Sequence, residues 1–109
     1  MKSHTLHLHL VPFNKISSGK KKIESRLNDK KRREFNVGDE LVFVSRVDNS
    51  EITATITALH YFPNFATLFQ SIATEKFGEL SSESLLNEIE ELYSKEDQLK
   101  WGVVGIEFD

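Results

Sequence analysis

No cysteine occurs in the 109 residues, which excludes disulfides, Cys-based zinc sites and thiol nucleophiles together. Long apolar runs are missing as well. The longest, such as Leu41–Val44, extend over about four residues, against the ~18 needed to span a bilayer. No apolar stretch follows Lys2, so no secretory signal is expected, and the chain reads as soluble and cytoplasmic with no membrane partner. Gly-x-Gly-x-x-Gly, P-loop and Gly-x-Ser-x-Gly patterns are absent too. Their absence leaves no support for the common phosphate-binding loops or a serine-hydrolase elbow. No cofactor is implied.

What is present suffices for one compact domain over residues 1–109. Hydrophobic residues make up 39% of the chain, and eight phenylalanines among them supply the bulk of a core. The formal net charge of −3 conceals a division along the chain. Residues 1–36 hold ten Lys/Arg against three acids, a balance of +7, and residues 37–109 hold four against fourteen, a balance of −10. Separation of this kind steers a charged partner more than the total does, so an acidic chain is compatible with a nucleic-acid ligand.

Leu6, Leu8 and Leu10 alternate with Thr5, His7 and His9, the period of a half-buried strand. Pro12 suits the opening of a short helix that Gly19 can end. A strand over about 22–27 follows, then a polar, strongly charged loop at 28–36. Residues 40–61 read as a β-hairpin around the Asp48-Asn49-Ser50 turn. Asn64 is an N-cap for Phe65, Leu68, Phe69 and Ile72, which recur at helical spacing. A second helical pattern runs over about 82–93, capped by Ser81, with Leu80 and Leu85 placed for a hydrophobic staple. Val103–Phe108 closes the chain as a strand. The class is α+β: a mixed sheet or small barrel with two or three helices.

The densest chemistry lies in residues 19–26, Gly-Lys-Lys-Lys-Ile-Glu-Ser-Arg. On a strand, residues i and i+2 share a face, so Glu24 and Arg26 point together. Arg26 offers a planar fork for phosphate or carboxylate. Glu24 can accept from the exocyclic amine of a base or act on water as a general base. Parity places Lys20 and Lys22 on their side and Lys21 opposite if the strand has already begun. If the chain is still turning at Gly19-Lys20, Lys21 enters instead. Lys30, Lys31, Arg32 and Arg33 form a basic loop, read as a mobile lip that attracts phosphates.

Gly19, Lys21, Glu24 and Arg26 fit the pattern Gly-x-Lys-x-x-Glu-x-Arg, which resembles the signature of the ASCH domain. The likeness extends to the Leu-x-Leu first strand, the Val-Gly-Asp turn at 37–39 and the closing Trp-Gly-Val-Val-Gly-Ile-Glu-Phe, and is greatest to small free-standing bacterial and archaeal members. It implies a PUA-like mixed β-barrel with flanking helices and a cleft beside the motif. It also implies single-stranded RNA or a nucleoside or nucleotide as partner. One branch of similar size hydrolyses N4-acetylcytidine with a Lys base, a Thr nucleophile three residues on and a distal Glu. Lys21 matches the Lys, Glu24 stands at the Thr position, and the distal Glu corresponds to Glu75 or Glu79.

A binding module is therefore the leading expectation, with Gly19, Lys20, Lys21, Lys22, Glu24, Arg26 and loop residues 30–33 as its ligand set. Neutralising ~3–5 phosphates would give a log–log salt slope of about −2 to −4. The enzymatic alternative is a hydrolase of a modified nucleoside or RNA, with Glu24 activating water and Lys21 stabilising negative charge. A third is a protein-interaction module using the acidic helix at 82–93. His7 and His9 have two-point chelate spacing with His60 as the one obvious third ligand, short of a metal site. Tyr61, Phe62 and Trp101 are candidate stacking surfaces, although core packing suits Phe62 and Trp101 better.

Overall fold

A computed structural model describes residues 1–79 and 81–109. Five strands form one mixed sheet: β1 (Ser3–Leu8), β2 (Ile23–Leu27), β3 (Glu40–Ser45), β4 (Glu51–Phe62) and β5 (Val103–Phe108), ordered β1-β3-β4-β5-β2. β1 runs parallel to β3 and the other pairs are antiparallel. Among the described residues four α-helices accompany the sheet: α1 (Leu10–Ser17), α2 (Phe65–Ser71), α3 (Ser82–Leu92) and α4 (Lys95–Trp101).

β4 turns this sheet into a half-barrel. Residues 51–55 pair with β3, a register shift falls between Ile56 and Ala58, and the remainder pairs with β5. A bulge bends and twists a strand, which lets one strand serve two sides of a curl. The curl stops short of closure, so β1 and β2 are left as the two edges.

Alternation along β5 divides the core. Val104, Ile106 and Phe108 face inward onto Leu6, Phe13, Leu41, Phe43 and Ile56, and Val103 faces outward onto Phe65, Leu68, Phe69, Phe77 and Leu85 beneath the helices. Burial on both faces explains why this strand reads as a nearly continuous apolar run.

The expected caps are in place: Asn64 accepts from Thr67 N–H at 2.8 Å, and Ser81 from Ser84 N–H at 3.3 Å. The Leu80 half of the expected staple lies outside the described residues. α1 begins at Leu10, two residues before Pro12, because proline is tolerated in a first turn where no N–H is needed. α4 was not expected. It buries Gln98 and leaves Leu99 exposed, so it has no apolar stripe, and only its Ser94 cap and the acids Glu96 and Asp97 announce it. Among the described residues no helix is long and apolar enough to cross a membrane.

Candidate functional site

The motif occupies the gap between the two edge strands. α1 ends at Ser17, and Gly19 takes φ +80°, a left-handed turn that favours glycine. Lys20 N–H and Lys21 N–H then both donate to Lys15 O. The chain is thus still turning at Lys21, which bridges to Phe77 rather than pairing within the sheet, and β2 starts only at Ile23. Strand parity does not govern Lys21. Its side chain joins Glu24 and Arg26, whereas Lys20 and Lys22 are exposed and line no part of the cleft.

Glu24 is the centre of this group. Lys21 Nζ lies 2.7 Å from its Oε1, and Arg26 Nε donates to its Oε2 at 3.0 Å with Nη2 at 2.9 Å. All three side chains are largely covered, at 14%, 7% and 15% exposure for Lys21, Glu24 and Arg26. Burial alone would raise the Glu24 carboxyl, but the charges and hydrogen bonds of Lys21 and Arg26 outweigh it and hold the group below its ordinary range. Burial likewise disfavours the Arg26 cation. Glu24 and, less strongly, Tyr93 reverse that and raise it. Arg26 Nη2 also donates to His7 O at 3.4 Å, a bond that spans the opening between β2 and β1.

Around this cluster lies a cleft of about 380 Å³. β1 and α1 bound one side through His7, His9, Val11 and Lys15. α3 bounds the other through Leu85, Ile89, Leu92 and Tyr93. Lys15 pairs with Glu79, which also lines the cleft, whereas Glu75 is exposed on a 3-10 turn elsewhere. Of the two candidates for the distal acid, Glu79 is therefore the one that lines the cleft with Lys21. Gly78, with φ +80°, fits between the two lysines: a Cβ there would come within 3.2 Å of both Lys15 Cδ and Lys21 Cβ.

Basic loop 28–33 is not brought to the cleft. Asp29 accepts from Arg32 N–H at 3.1 Å and pairs with its guanidinium at 3.5 Å, folding the segment into a 3-10 turn over Arg32–Glu34. Arg33 donates to Asn28 O at 2.8 Å and Trp101 O at 3.3 Å, and its guanidinium lies 5.5 Å from the Trp101 ring centroid. Lys30 and Lys31 are exposed. In place of a mobile lip, Arg33 braces the junction of α4 and β5.

His7 and His9 both line the cleft, but His9 lies beyond β1 at the head of α1. His60 is bonded to Glu107 at 2.8 Å. Among the described residues no three metal-ligating side chains gather. Phe62 and Trp101 pack partly buried against the outer core, Tyr61 is exposed, and none of the three lines the cleft.

Sequence reasoning missed Lys15, Arg46, Gly78 and Tyr93. Lys15 carried a faint signal as a cation in the last turn of a helix. The other three reach the site through tertiary packing and carried none.

With this geometry, the family follows from comparison. The ASCH domain model matches residues 6–109. The chain belongs to the ASCH domain family. Its fold is similar to that of the hypothetical protein PH0355, with a TM-score of 0.87 and 29% identity over 100% of this chain and 98% of that one. It is also similar to PF0455 from Pyrococcus furiosus, with a TM-score of 0.74 and 28% identity over 98% and 96%. The ASCH protein from Zymomonas mobilis shares the fold at a TM-score of 0.66 and 18% identity, over 99% of this chain and 67% of that one. No curated protein matches the sequence. The PUA-like half-barrel is thus common to this ASCH chain and these structures.

Proposed function

We propose that this ASCH domain binds RNA or a nucleotide, holding a single nucleotide unit in the cleft between β1 and β2. The observation that carries the reading is the pairing of a cationic floor with apolar walls in one opening. Lys21 and Arg26 are fixed by Glu24 yet keep further N–H donors for a ligand, and α1 and α3 supply the apolar faces. A volume of about 380 Å³ lies at the small end of ligand sites, which run to roughly 300–1,000 Å³. That fits one base with its sugar better than a groove following a strand. Residues 1–109 act in this proposal as one domain, in the cytoplasm where such ligands occur.

The hydrolase reading loses support at Glu24. Both oxygens are taken by cations, and a carboxyl held below its ordinary range is a weak base toward water. Lys21, Glu24 and Arg26 are better suited to binding than to turnover. The acidic residues of α3 need no protein partner, since the helix packs on the outer core through Leu85, Leu86 and Ile89.

The test is a binding series with short single-stranded RNAs and free nucleosides, read by anisotropy and calorimetry. Lys21→Ala should weaken binding by about tenfold or more, as expected for a charge-assisted contact in a partly buried site. Lys20→Ala and Lys22→Ala should change it by less than about threefold, as exposed charges do. Equal effects at all three positions, or no binding of any RNA or nucleoside by the unaltered protein, would reject this function.

A further inference from the structure

Four cations and three carboxylates line the cleft, a balance of +1 with the histidines neutral. Three of the cations are paired, Lys15 with Glu79 and both Lys21 and Arg26 with Glu24, while the third carboxylate, Glu88, is exposed and forms no ion pair among the described residues. Arg46 is the fourth cation. It is exposed, and among the described residues its guanidinium has no carboxylate or carbonyl partner. The backbone beneath it is firmly held, because Arg46 N–H donates to Leu8 O at 2.9 Å and the turn that follows is closed by Asn49 N–H on Ser45 O at 3.0 Å. A fixed backbone thus carries a free, planar, five-donor group at the β1–α1 side of the opening.

The same opening exposes apolar surface on both of its walls. Val11 on α1 is 64% exposed and Leu92 on α3 is 66% exposed, although each lines the cleft. Pro12 and Tyr93 continue the two walls inward. Apolar surface beside an uncompensated cation matches a planar, weakly polar group that carries one negative charge at its side.

Resting on the nucleotide-binding reading above, we infer that the occupant is one nucleotide of a phosphodiester-linked RNA strand. Its base sits between the Val11–Pro12 and Leu92–Tyr93 walls, and the adjoining phosphodiester lies on Arg46. The open rim selects the strand over a free nucleotide, because Arg46 is exposed where it lines the cleft and a phosphodiester lying on it can continue into solvent at both ends. The floor cluster then orients the base, and Arg46 admits the backbone. Arg46 becomes the residue that separates strand binding from nucleoside binding.

The experiment compares a labelled seven-nucleotide single-stranded RNA, the matching nucleoside and its 5′-monophosphate on the whole chain and on Arg46→Ala and Leu92→Gln. Both positions are exposed, so both variants retain the fold, verified by unchanged unfolding midpoints. Arg46→Ala should weaken the RNA by about tenfold and make its log–log salt slope shallower by about 0.7, the share of one phosphate in a single strand. Nucleoside affinity should stay unchanged. Leu92→Gln should weaken RNA and nucleoside by the same factor. Unaltered RNA affinity and slope in Arg46→Ala would overturn this inference while nucleotide binding itself stands. Tighter binding of the 5′-monophosphate than of the RNA would overturn the choice of a phosphodiester. Failure of the unaltered chain to bind either RNA or nucleoside would instead remove the reading beneath it.

Discussion

Two regions of this chain concentrate positive charge, and they use it in opposite ways. At 21–26 two cations converge on one buried carboxylate, with every contact within 3.0 Å. At 30–33 four consecutive cations splay from a turn: Lys30 and Lys31 meet solvent, and Arg32 holds Asp29 at 3.5 Å. The first arrangement turns charge into fixed geometry, because Glu24 is anchored on β2 and the low-dielectric surroundings strengthen each contact. The second spends its guanidinium donors on Asp29 and on carbonyls of its own neighbourhood. Density of charge along the sequence is therefore a poor guide to where an anion will be held. A carboxylate among the cations is the better one.

The largest expected effect follows from that centre. Glu24→Gln leaves Lys21 and Arg26 mostly buried, facing each other without a counter-charge. Breaking a buried ion pair from one side costs about 3–5 kcal/mol, so the urea midpoint should fall by a corresponding amount. The matched change in the loop, Asp29→Asn, keeps an acceptor for Arg32 N–H and removes only a longer pair, at 3.5 Å with its carboxylate 34% exposed, worth about 0–1 kcal/mol. Equal losses from the two variants would erase the contrast between the regions.

Acid should sharpen it. The Glu24 carboxyl is held below its ordinary 4.5 by Lys21 and Arg26 against the opposing effect of burial. In the unfolded chain it takes up a proton first, so its contribution is complete above that value and declines as pH falls through the lower folded one. Asp39 adds a second component. The hydrogen bond from His4, then that from Lys2 N–H, holds it at about 2 against its ordinary 3.8. Unfolding midpoints measured from neutral pH down to pH ~2 should therefore fall as these carboxylates take up protons. Glu24→Gln should remove the Glu24 share of that loss and leave the share that belongs to Asp39. An acid limb unchanged in Glu24→Gln would show that the cluster is not held as described.

How far these regions could be read in advance depended on whether local rules governed them. Period-2 alternation located β1, the apolar run Val103–Phe108 located β5, and caps at Asn64 and Ser81 located α2 and α3, because side-chain burial or a single side-chain acceptor decides such elements. The common face of Glu24 and Arg26 followed from strand geometry alone. Lys21 did not, since its direction is set by the turn at Gly19 and the bridge to Phe77, a partner 56 residues away in sequence. α4 escaped for lack of an apolar stripe. Arg46 and Tyr93 reach the cleft only after the sheet has curled, and no pattern around either residue records that.

The smallest effect belongs to the exposed half of the loop, and it is the most discriminating. Lys30→Ala with Lys31→Ala removes two exposed charges that form no ion pair among the described residues, so stability should stay within about 0.5 kcal/mol. Solvent-exposed charges act on a ligand mainly through a field that salt screens over about 8 Å at physiological ionic strength. RNA affinity should thus fall by less than about threefold there, and the difference should vanish at 1 M salt, where the screening length is about 3 Å. The deficit of Lys21→Ala should persist under the same conditions, because a contact inside a largely covered site is screened far less. If the loop variant instead loses as much as Lys21→Ala and keeps that loss in high salt, the anion is held on the loop, and the cleft must be assigned a different ligand.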